Sequence, residues 1–186
     1  LEVYKSRFES NPDNISYGLD YSDKLLDADR PAEAINILKQ VVDEDPTSKV
    51  AYRKLAQAYD RDDDLESAAK TYEKLFRLDP RNFRTAIKIS EVYLENQDYG
   101  SAFDWADRAV MLSKEGESLA AKANVYYKGF QACRSGQIST DDRVVATLAY
   151  NGFEQAEKMG FSKFSRSKSW LSDNEVLFGK AQWFMM

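Results

Sequence analysis

The sequence predicts an all-α fold, an α-solenoid of antiparallel helix pairs closed by a capping helix at its C-terminal end. Three observations predict it: prolines recur at one interval along the chain, large and small side chains recur at the same interval, and helix-start signals agree with the boundaries that this interval sets. Pro12, Pro46 and Pro80 are spaced 34 residues apart. Because proline ends a helix and lets the chain reverse, this interval is the length of one helix-turn-helix unit.

The interval defines three repeats, at residues 15–48, 49–82 and 83–116. Residues that recur at one phase lie on one helical face, and small ones there let the neighbouring helix approach closely. In the first helix of each repeat, and in the segment that follows the third repeat, the large residues are Leu25, Tyr59, Tyr93 and Tyr127, and the small or polar residues before them are Ser22, Ala56, Ser90 and Asn124. In the second helix the recurring residues are Ala34, Ala68 and Ala102.

Local signals agree with these boundaries. Pro31 falls in the first turn of the second helix of repeat one, where a missing N–H has no cost. Asp63, followed three residues later by Glu66, predicts a capping box for the second helix of repeat two. Both signals predict helix starts where the 34-residue interval places them.

A fourth, lengthened repeat is predicted at residues 117–160. Its first helix begins near Glu117, and its second begins at the cap formed by Ser139. Residues 161–171 are serine-rich and basic and are interpreted as a linker. Ser172, with an acidic residue three places on, opens a predicted helix over 172–186 that covers the last repeat. The alternative for this helix is docking of a partner, because its end is strongly apolar.

The proline spacing and the recurring residues together resemble the tetratricopeptide repeat family, over residues 13–116. Departures from that family pattern include Gly18 and Ala86 where a bulky aromatic is usual, and Lys114 in place of the closing proline. The resemblance implies a right-handed superhelix that binds proteins or peptides on its concave face.

Composition and charge argue against nucleic acid as the partner and against a transmembrane segment. The formal net charge is −5, and residues 1–48 alone carry five basic and eleven acidic side chains, which argues against nucleic acid as the partner. No run of about 18 uncharged apolar residues predicts a transmembrane segment. The chain begins with Leu1, so its first residues do not decide between a cytoplasmic and an exported protein.

The sequence offers no catalytic arrangement, metal site or cofactor motif. It contains no histidine, which removes the commonest general base and most catalytic zinc sites. Cys133 is expected to be a small buried hydrophobe. The acidic runs 43–45 and 62–64 are interpreted as solvated helix ends, because they lack the spaced ligands of a calcium loop. We therefore expect a protein that is not an enzyme.

Binding residues are predicted on the faces of the first helices that packing leaves open, which line the concave groove. These are Arg53, Lys54, Gln57 and Val50 in repeat two, Arg84, Ile87, Lys88 and Glu91 in repeat three, and Ser118, Ala121, Lys122 and Val125 in repeat four. The cationic members suit an acidic peptide segment or a C-terminal carboxylate. The alternative is that they are solvated charges in surface ion pairs, such as Lys88 with Glu91.

One branch of the family resembles this surface in gripping a peptide's C-terminal carboxylate, but neither alignment of that residue set onto this chain reproduces it in full. The sequence thus predicts an interaction module or scaffold that binds a peptide or protein segment without catalysis. The second interpretation is a self-assembling subunit, in which the groove or the C-terminal helix binds another copy of the chain.

Overall fold

Helices joined by short turns make up residues 1–134 and 136–178, the part of the chain that the computed structural model describes. No strand occurs in these residues. The helices are α1 (Glu2–Ser10), α2 (Ile15–Asp27), α3 (Pro31–Glu44), α4 (Lys49–Arg61), α5 (Leu65–Leu78), α6 (Phe83–Glu95), α7 (Tyr99–Leu112), α8 (Gly116–Cys133), α9 (Thr140–Lys158) and α10 (Ser165–Asp173). They form two compact units, one of residues Leu1–Thr85 and one that begins at Ala86.

The helix starts follow the interval read from the prolines. The first helices α2, α4 and α6 begin at Ile15, Lys49 and Phe83, and each is followed within its own repeat by a second helix. The turn inside each pair contains one residue in the left-handed backbone region: Asp29 (φ 57°), Asp63 (φ 61°) and Gln97 (φ 59°). The predicted all-α repeat fold is confirmed.

Side-chain caps begin most of the repeat helices. Asn14, Ser48 and Asp98 each accept a hydrogen bond from a backbone N–H in the first turn of the following helix. The cap of α5 lies one residue later than the sequence predicts, because Asp63 occupies the turn and Asp64 accepts the hydrogen bond from Ser67.

The core of the first unit lies between α2, α3 and α4, with α1 packed on its open side. Phe8 of α1 is buried with its ring 6.0 Å from the ring of Tyr21. Gly18 lies between Phe8 and Val41, where an added Cβ would overlap the Val41 side chain. The glycine that departs from the family pattern therefore lets α3 approach α2 closely at Val41.

The core of the second unit is built on α8, α9 and α10. Gly152 of α9 lies so close to α8 that an added Cβ would be 2.7 Å from the Cβ of Ala123. The Trp170 ring of α10 lies 6.2 Å from the rings of both Tyr127 and Phe130. Aromatic contacts at these separations add to the burial of apolar area, so α10 covers the open side of the last pair.

The C-terminal segment differs from the prediction. Residues 161–171, interpreted as a linker, contain most of α10, because Phe164 and the fully buried Leu171 lie seven residues apart on one helical face. Ser172 lies in the last turn of α10, so no helix begins there. The part of the predicted final helix beyond residue 178 is outside the described residues.

Residues 174–178 follow α10 without forming a helix. Arg143 donates hydrogen bonds from Nη1 to the carbonyl oxygens of Glu175 (2.7 Å) and Leu177 (3.0 Å), and Val176 is buried between them. The arginine satisfies carbonyl groups that have no helical partner.

Candidate peptide-binding surfaces

The first unit presents the open faces of α2 and α4, and these carry opposite charges. Lys54 of α4 donates a hydrogen bond to Asp23 of α2, and both side chains are partly buried. Arg61 donates from Nη1 to the carbonyl oxygen of Leu26 at 2.9 Å. Lys54 therefore connects neighbouring first helices across the predicted surface.

A cleft of about 340 Å³ lies beside this ion pair. Gln57, one of the predicted binding residues, lines it together with Tyr4 of α1 and Asp20 of α2. The remaining lining residues are Asp23, Lys24, Leu26, Asp27 and Arg61. Charged and amide groups dominate this lining, so the cleft is polar and can exchange hydrogen bonds with a peptide.

Arg53 and Arg84 are also exposed in the first unit. The guanidinium carbon of Arg84 lies 4.9 Å from the centre of the Phe83 ring, which is cation–π distance. Of the predicted binding residues in this unit, Lys54 and Gln57 lie on the side of α4 that faces α2. Arg53 lies on the same helix.

In the second unit Glu91 of α6 is the centre of a small ion-pair group. Its Oε2 lies 3.8 Å from Nζ of Lys88, and its Oε1 lies 3.6 Å from Nζ of Lys163. Lys163 comes from the turn between α9 and α10, far away in sequence. The pairing of Lys88 with Glu91, expected as the alternative to a binding role for these residues, is therefore present in the structure.

Two adjoining clefts lie beside Glu91. Both are lined by Glu91, Leu94, Asn124, Lys163 and Phe164. The narrow cleft adds Ile87, Ser90, Glu117, Ala121 and Phe161. The wide cleft, of about 560 Å³, adds Glu95, Gln97, Tyr99 and Lys128. This surface combines apolar side chains with two amides, two lysines and three carboxylates, so it can hold an apolar side chain, and its lysines can pair with an anionic group.

The first helix of the fourth repeat, α8, presents a different face from the one predicted. A strict 34-residue interval starts it at residue 117, whereas α8 begins at Gly116. One residue turns a helix face by about 100°. Ser118 and Val125, predicted to be open, are therefore buried, and Asn124 and Lys128 line the clefts instead.

The structure places Lys122 against α7. Its ammonium donates a hydrogen bond to Asp107 and lies 5.0 Å from the centre of the Phe103 ring. With the register moved by one residue, Ala123 takes the small position held by Ala56 and Ser90 in the earlier repeats. That match was the available signal for the shift.

Comparisons with known proteins agree with this architecture. Two models of the tetratricopeptide repeat family match the chain, one at residues 25–77 and the other at residues 53–118, and together they cover 94 of its 186 residues. The chain belongs to the tetratricopeptide repeat family. Members of this family are protein-interaction or scaffold modules and are generally not catalysts.

Solved structures show the same fold as this tetratricopeptide repeat protein. A crystal structure of MamA is 19% identical, with a TM-score of 0.68, and the match covers 84% of each chain. The protein TTC0263 of Thermus thermophilus is 16% identical with a TM-score of 0.60, over 95% of this chain and 89% of that one. YrrB, described as a TPR protein with an unusual peptide-binding site, is 13% identical with a TM-score of 0.56, over 93% of this chain and 86% of that one. Among curated proteins, no sequence matches this chain.

The described residues also bear on metal binding, on the position of Cys133 and on membrane-spanning helices. They contain no group of three or more histidine, cysteine, aspartate or glutamate residues that could hold a metal ion. Cys133, predicted to be buried, is exposed at the end of α8, because the helix ends there and leaves the core. None of the described helices is both long enough and apolar enough to span a membrane.

Proposed function

We propose that this tetratricopeptide repeat protein binds peptide or protein segments on the open faces of the first helices within each unit, and that it acts by equilibrium binding without catalysis. The contacts proposed are five of the residues predicted from the sequence, Arg53, Lys54, Gln57, Arg84 and Lys88, joined by Asn124 and Lys128. Glu91 lies on the same surface and holds its lysines, and Lys122 is left out because it is paired with Asp107 of α7.

The observation that carries the proposal is that each unit has clefts on its first helices. The cleft beside α2 and α4 is polar, and the wide cleft beside α6 and α8 adds Leu94 and Phe164 to polar groups. A few polar groups set among apolar ones are typical of surfaces that recognise ligands. The similarly folded YrrB is described as having a peptide-binding site, which supports peptide as the class of ligand.

Cationic residues favour an acidic segment as the partner. Arg53 and Arg84 are exposed, and arginine binds carboxylates with two parallel hydrogen bonds. Reversal of cationic charges on a first helix such as α6 is expected to repel such a segment, whereas reversal of a charge on a second helix is expected to have little effect.

The test is a charge reversal measured against peptides. Binding of the whole chain to an array of acidic peptides is compared for the wild type, for the variant with Arg84→Glu and Lys88→Glu, and for Lys74→Glu on α5 as the matched control. We expect the double reversal to weaken binding by about tenfold or more, because charge-assisted hydrogen bonds are lost and repulsion is introduced. Unchanged binding by the double variant would contradict the proposal.

The alternative function, a self-assembling subunit, is supported by exposed apolar side chains at the ends of two second helices. Met111 of α7 and Met159, which directly follows α9, are 77% and 55% exposed. Light scattering separates the two functions, because a mass of 21.3 kDa at all concentrations indicates a monomer and excludes assembly of this chain with itself.

A further inference from the structure

We propose that the two clefts beside α6 and α8 recognise an internal aspartate or glutamate of a peptide, next to an apolar side chain, and that Glu91 competes with that carboxylate for Lys163. The inference rests on the proposed peptide-binding function and adds the chemistry of the partner and an internal competitor. It also adds a contribution from outside the repeat helices, since Lys163 and Phe164 belong to the turn between α9 and α10.

The position of Lys163 indicates which part of a peptide it meets. Lys163 and Phe164 line both the narrow and the wide cleft, so they lie where the two clefts join. A peptide that runs through both clefts passes Lys163 with an internal residue. An apolar side chain beside that residue can contact Leu94 and Phe164, which both clefts share.

The ion pairs show that Lys163 can change partners at low cost. Glu91 has a separate cation at each carboxylate oxygen, Lys163 at Oε1 (3.6 Å) and Lys88 at Oε2 (3.8 Å). If Lys163 turns to a ligand, Glu91 keeps Lys88. The side chain of Lys163 is 61% exposed, and ion pairs at that exposure contribute little to stability.

The clefts contain three carboxylates, Glu91, Glu95 and Glu117, and two lysines, Lys128 and Lys163. Glu95 and Glu117 each make an interaction of their own, and Glu91 is paired with Lys88 and Lys163. Lys128 is exposed in the wide cleft, and the described residues provide it with no charged partner. An incoming carboxylate therefore meets Lys128 and, once Glu91 is displaced, Lys163.

Competition predicts opposite effects for the two members of one ion pair. Glu91→Gln keeps the size of the side chain but removes the competing charge, so Lys163 is free for the ligand. Lys163→Gln removes the cation itself. If the pair only stabilised the fold, both substitutions would change binding in the same direction.

The experiment uses the whole chain and an array of peptides in matched sets. Each peptide has phenylalanine or leucine next to aspartate or glutamate, its partner has asparagine or glutamine in place of the acid, and each is present with a free and with an amidated C-terminus. The proteins are the wild type, Glu91→Gln, Lys163→Gln and the control Lys158→Gln, whose lysine pairs with Glu154 on α9. Affinities for the best acidic peptide are then measured by fluorescence anisotropy.

We expect acidic peptides to bind more tightly than their amide partners, whether or not the C-terminus is amidated. Glu91→Gln should tighten this binding about two- to fivefold, the range expected when a surface ion pair no longer competes. Lys163→Gln should weaken it by about tenfold, since a charge-assisted hydrogen bond is lost. Lys158→Gln should bind as the wild type does.

Four results would overturn the inference. If asparagine and glutamine peptides bind equally well, or if Glu91→Gln and Lys163→Gln act in the same direction, the inference fails while the peptide-binding function stands. If amidation abolishes binding, the ligand is a C-terminal carboxylate and not an internal acid. If no peptide of either set binds the wild type, the inference and the proposed function fail together.

Discussion

Asp64 and Asp98 cap the second helices of two successive repeats in the same way. Each accepts hydrogen bonds from the backbone N–H of the serine three residues on, at 3.1 Å from Ser67 and 3.0 Å from Ser101. Hydrogen bonds from the serine side chain and then from backbone N–H groups lower the pKa of both carboxyls below their ordinary value of 3.8. The charged form of each cap is therefore the one that the folded chain stabilises.

These caps predict how stability depends on acid. A carboxyl whose pKa is lower in the folded chain contributes stability above its ordinary pKa, and that contribution is lost as the pH falls through the lowered value. We expect Asp98→Asn to reduce the fall in Tm between about pH 5 and pH 2, because asparagine also caps a helix but does not titrate. Thermal melts followed by circular dichroism measure this.

The control for that experiment is Asp62→Asn at the C-terminal end of α4, where the carboxylate caps no helix. The acid dependence of its melts should not be reduced in the way expected for Asp98→Asn, because no helix-capping hydrogen bond depends on that carboxylate. Equal acid dependence for Asp98→Asn and the wild type would mean that the cap contributes no pH-linked stability.

At the scale of elements, the sequence predicted the repeat helices well because their signals are local. Prolines at a fixed interval end the second helices, and small residues mark the faces that pack. The helix α1 was not predicted, although Pro12 follows it at the same interval at which Pro46 and Pro80 follow α3 and α5. That spacing was the signal, because it marks α1 as the counterpart of a second helix.

The candidate site was predicted only in part, because its composition depends on how distant segments meet. Lys163 and Phe164 reach the clefts through the turn between α9 and α10, which a repeat alignment cannot place. The face of α8 was misjudged because Lys114 stands where a proline would have fixed the register. Predictions for Arg53 and Arg84 needed only their own helices, and both are exposed.

The crossing of α8 and α9 gives a prediction at this scale. Replacing glycine by alanine within a helix normally favours the helix by about 1 kcal/mol. For Gly152→Ala we expect a net loss of stability of about 1 kcal/mol, because overpacking a close contact costs roughly 1–3 kcal/mol and outweighs the gain in helix propensity. The new Cβ would lie 2.7 Å from the Cβ of Ala123, too close for two carbon atoms. Urea denaturation measures the change.

Two further variants test the cause. Adding Ala123→Gly to Gly152→Ala removes the opposing methyl group and should recover much of the loss. Gly129 lies in α8, as Ala123 does, and an alanine there would place its Cβ 3.9 Å from the nearest atom. Gly129→Ala should therefore stabilise the chain. A Gly152→Ala variant more stable than the wild type by about 1 kcal/mol, the full gain in helix propensity, would show that α9 moves away from α8 without cost.

At the scale of the whole molecule, two compact units with separate cores raise the question of whether they unfold together. The cluster around Leu25, Leu38 and Leu55 belongs to the first unit, and the cluster around Phe130 and Phe153 belongs to the second. In repeat proteins stability is close to a sum of repeat and nearest-neighbour contributions, so a local loss can separate the transitions.

Tryptophan gives a probe for one unit alone. The three tryptophans all follow residue 85, and Trp105 and Trp170 lie in helices of the second unit, whereas circular dichroism reports the helices of both units. Leu55→Ala leaves a cavity in the first unit that costs about 2–5 kcal/mol, and Phe153→Ala one in the second that costs about 3–5 kcal/mol. We expect Leu55→Ala to lower the urea midpoint seen by circular dichroism more than the midpoint seen by tryptophan fluorescence. Phe153→Ala should lower the urea midpoint seen by tryptophan fluorescence at least as much as the midpoint seen by circular dichroism. Midpoints that coincide for both probes in both variants would mean that the chain unfolds as one cooperative body, in which a loss in either core is felt throughout.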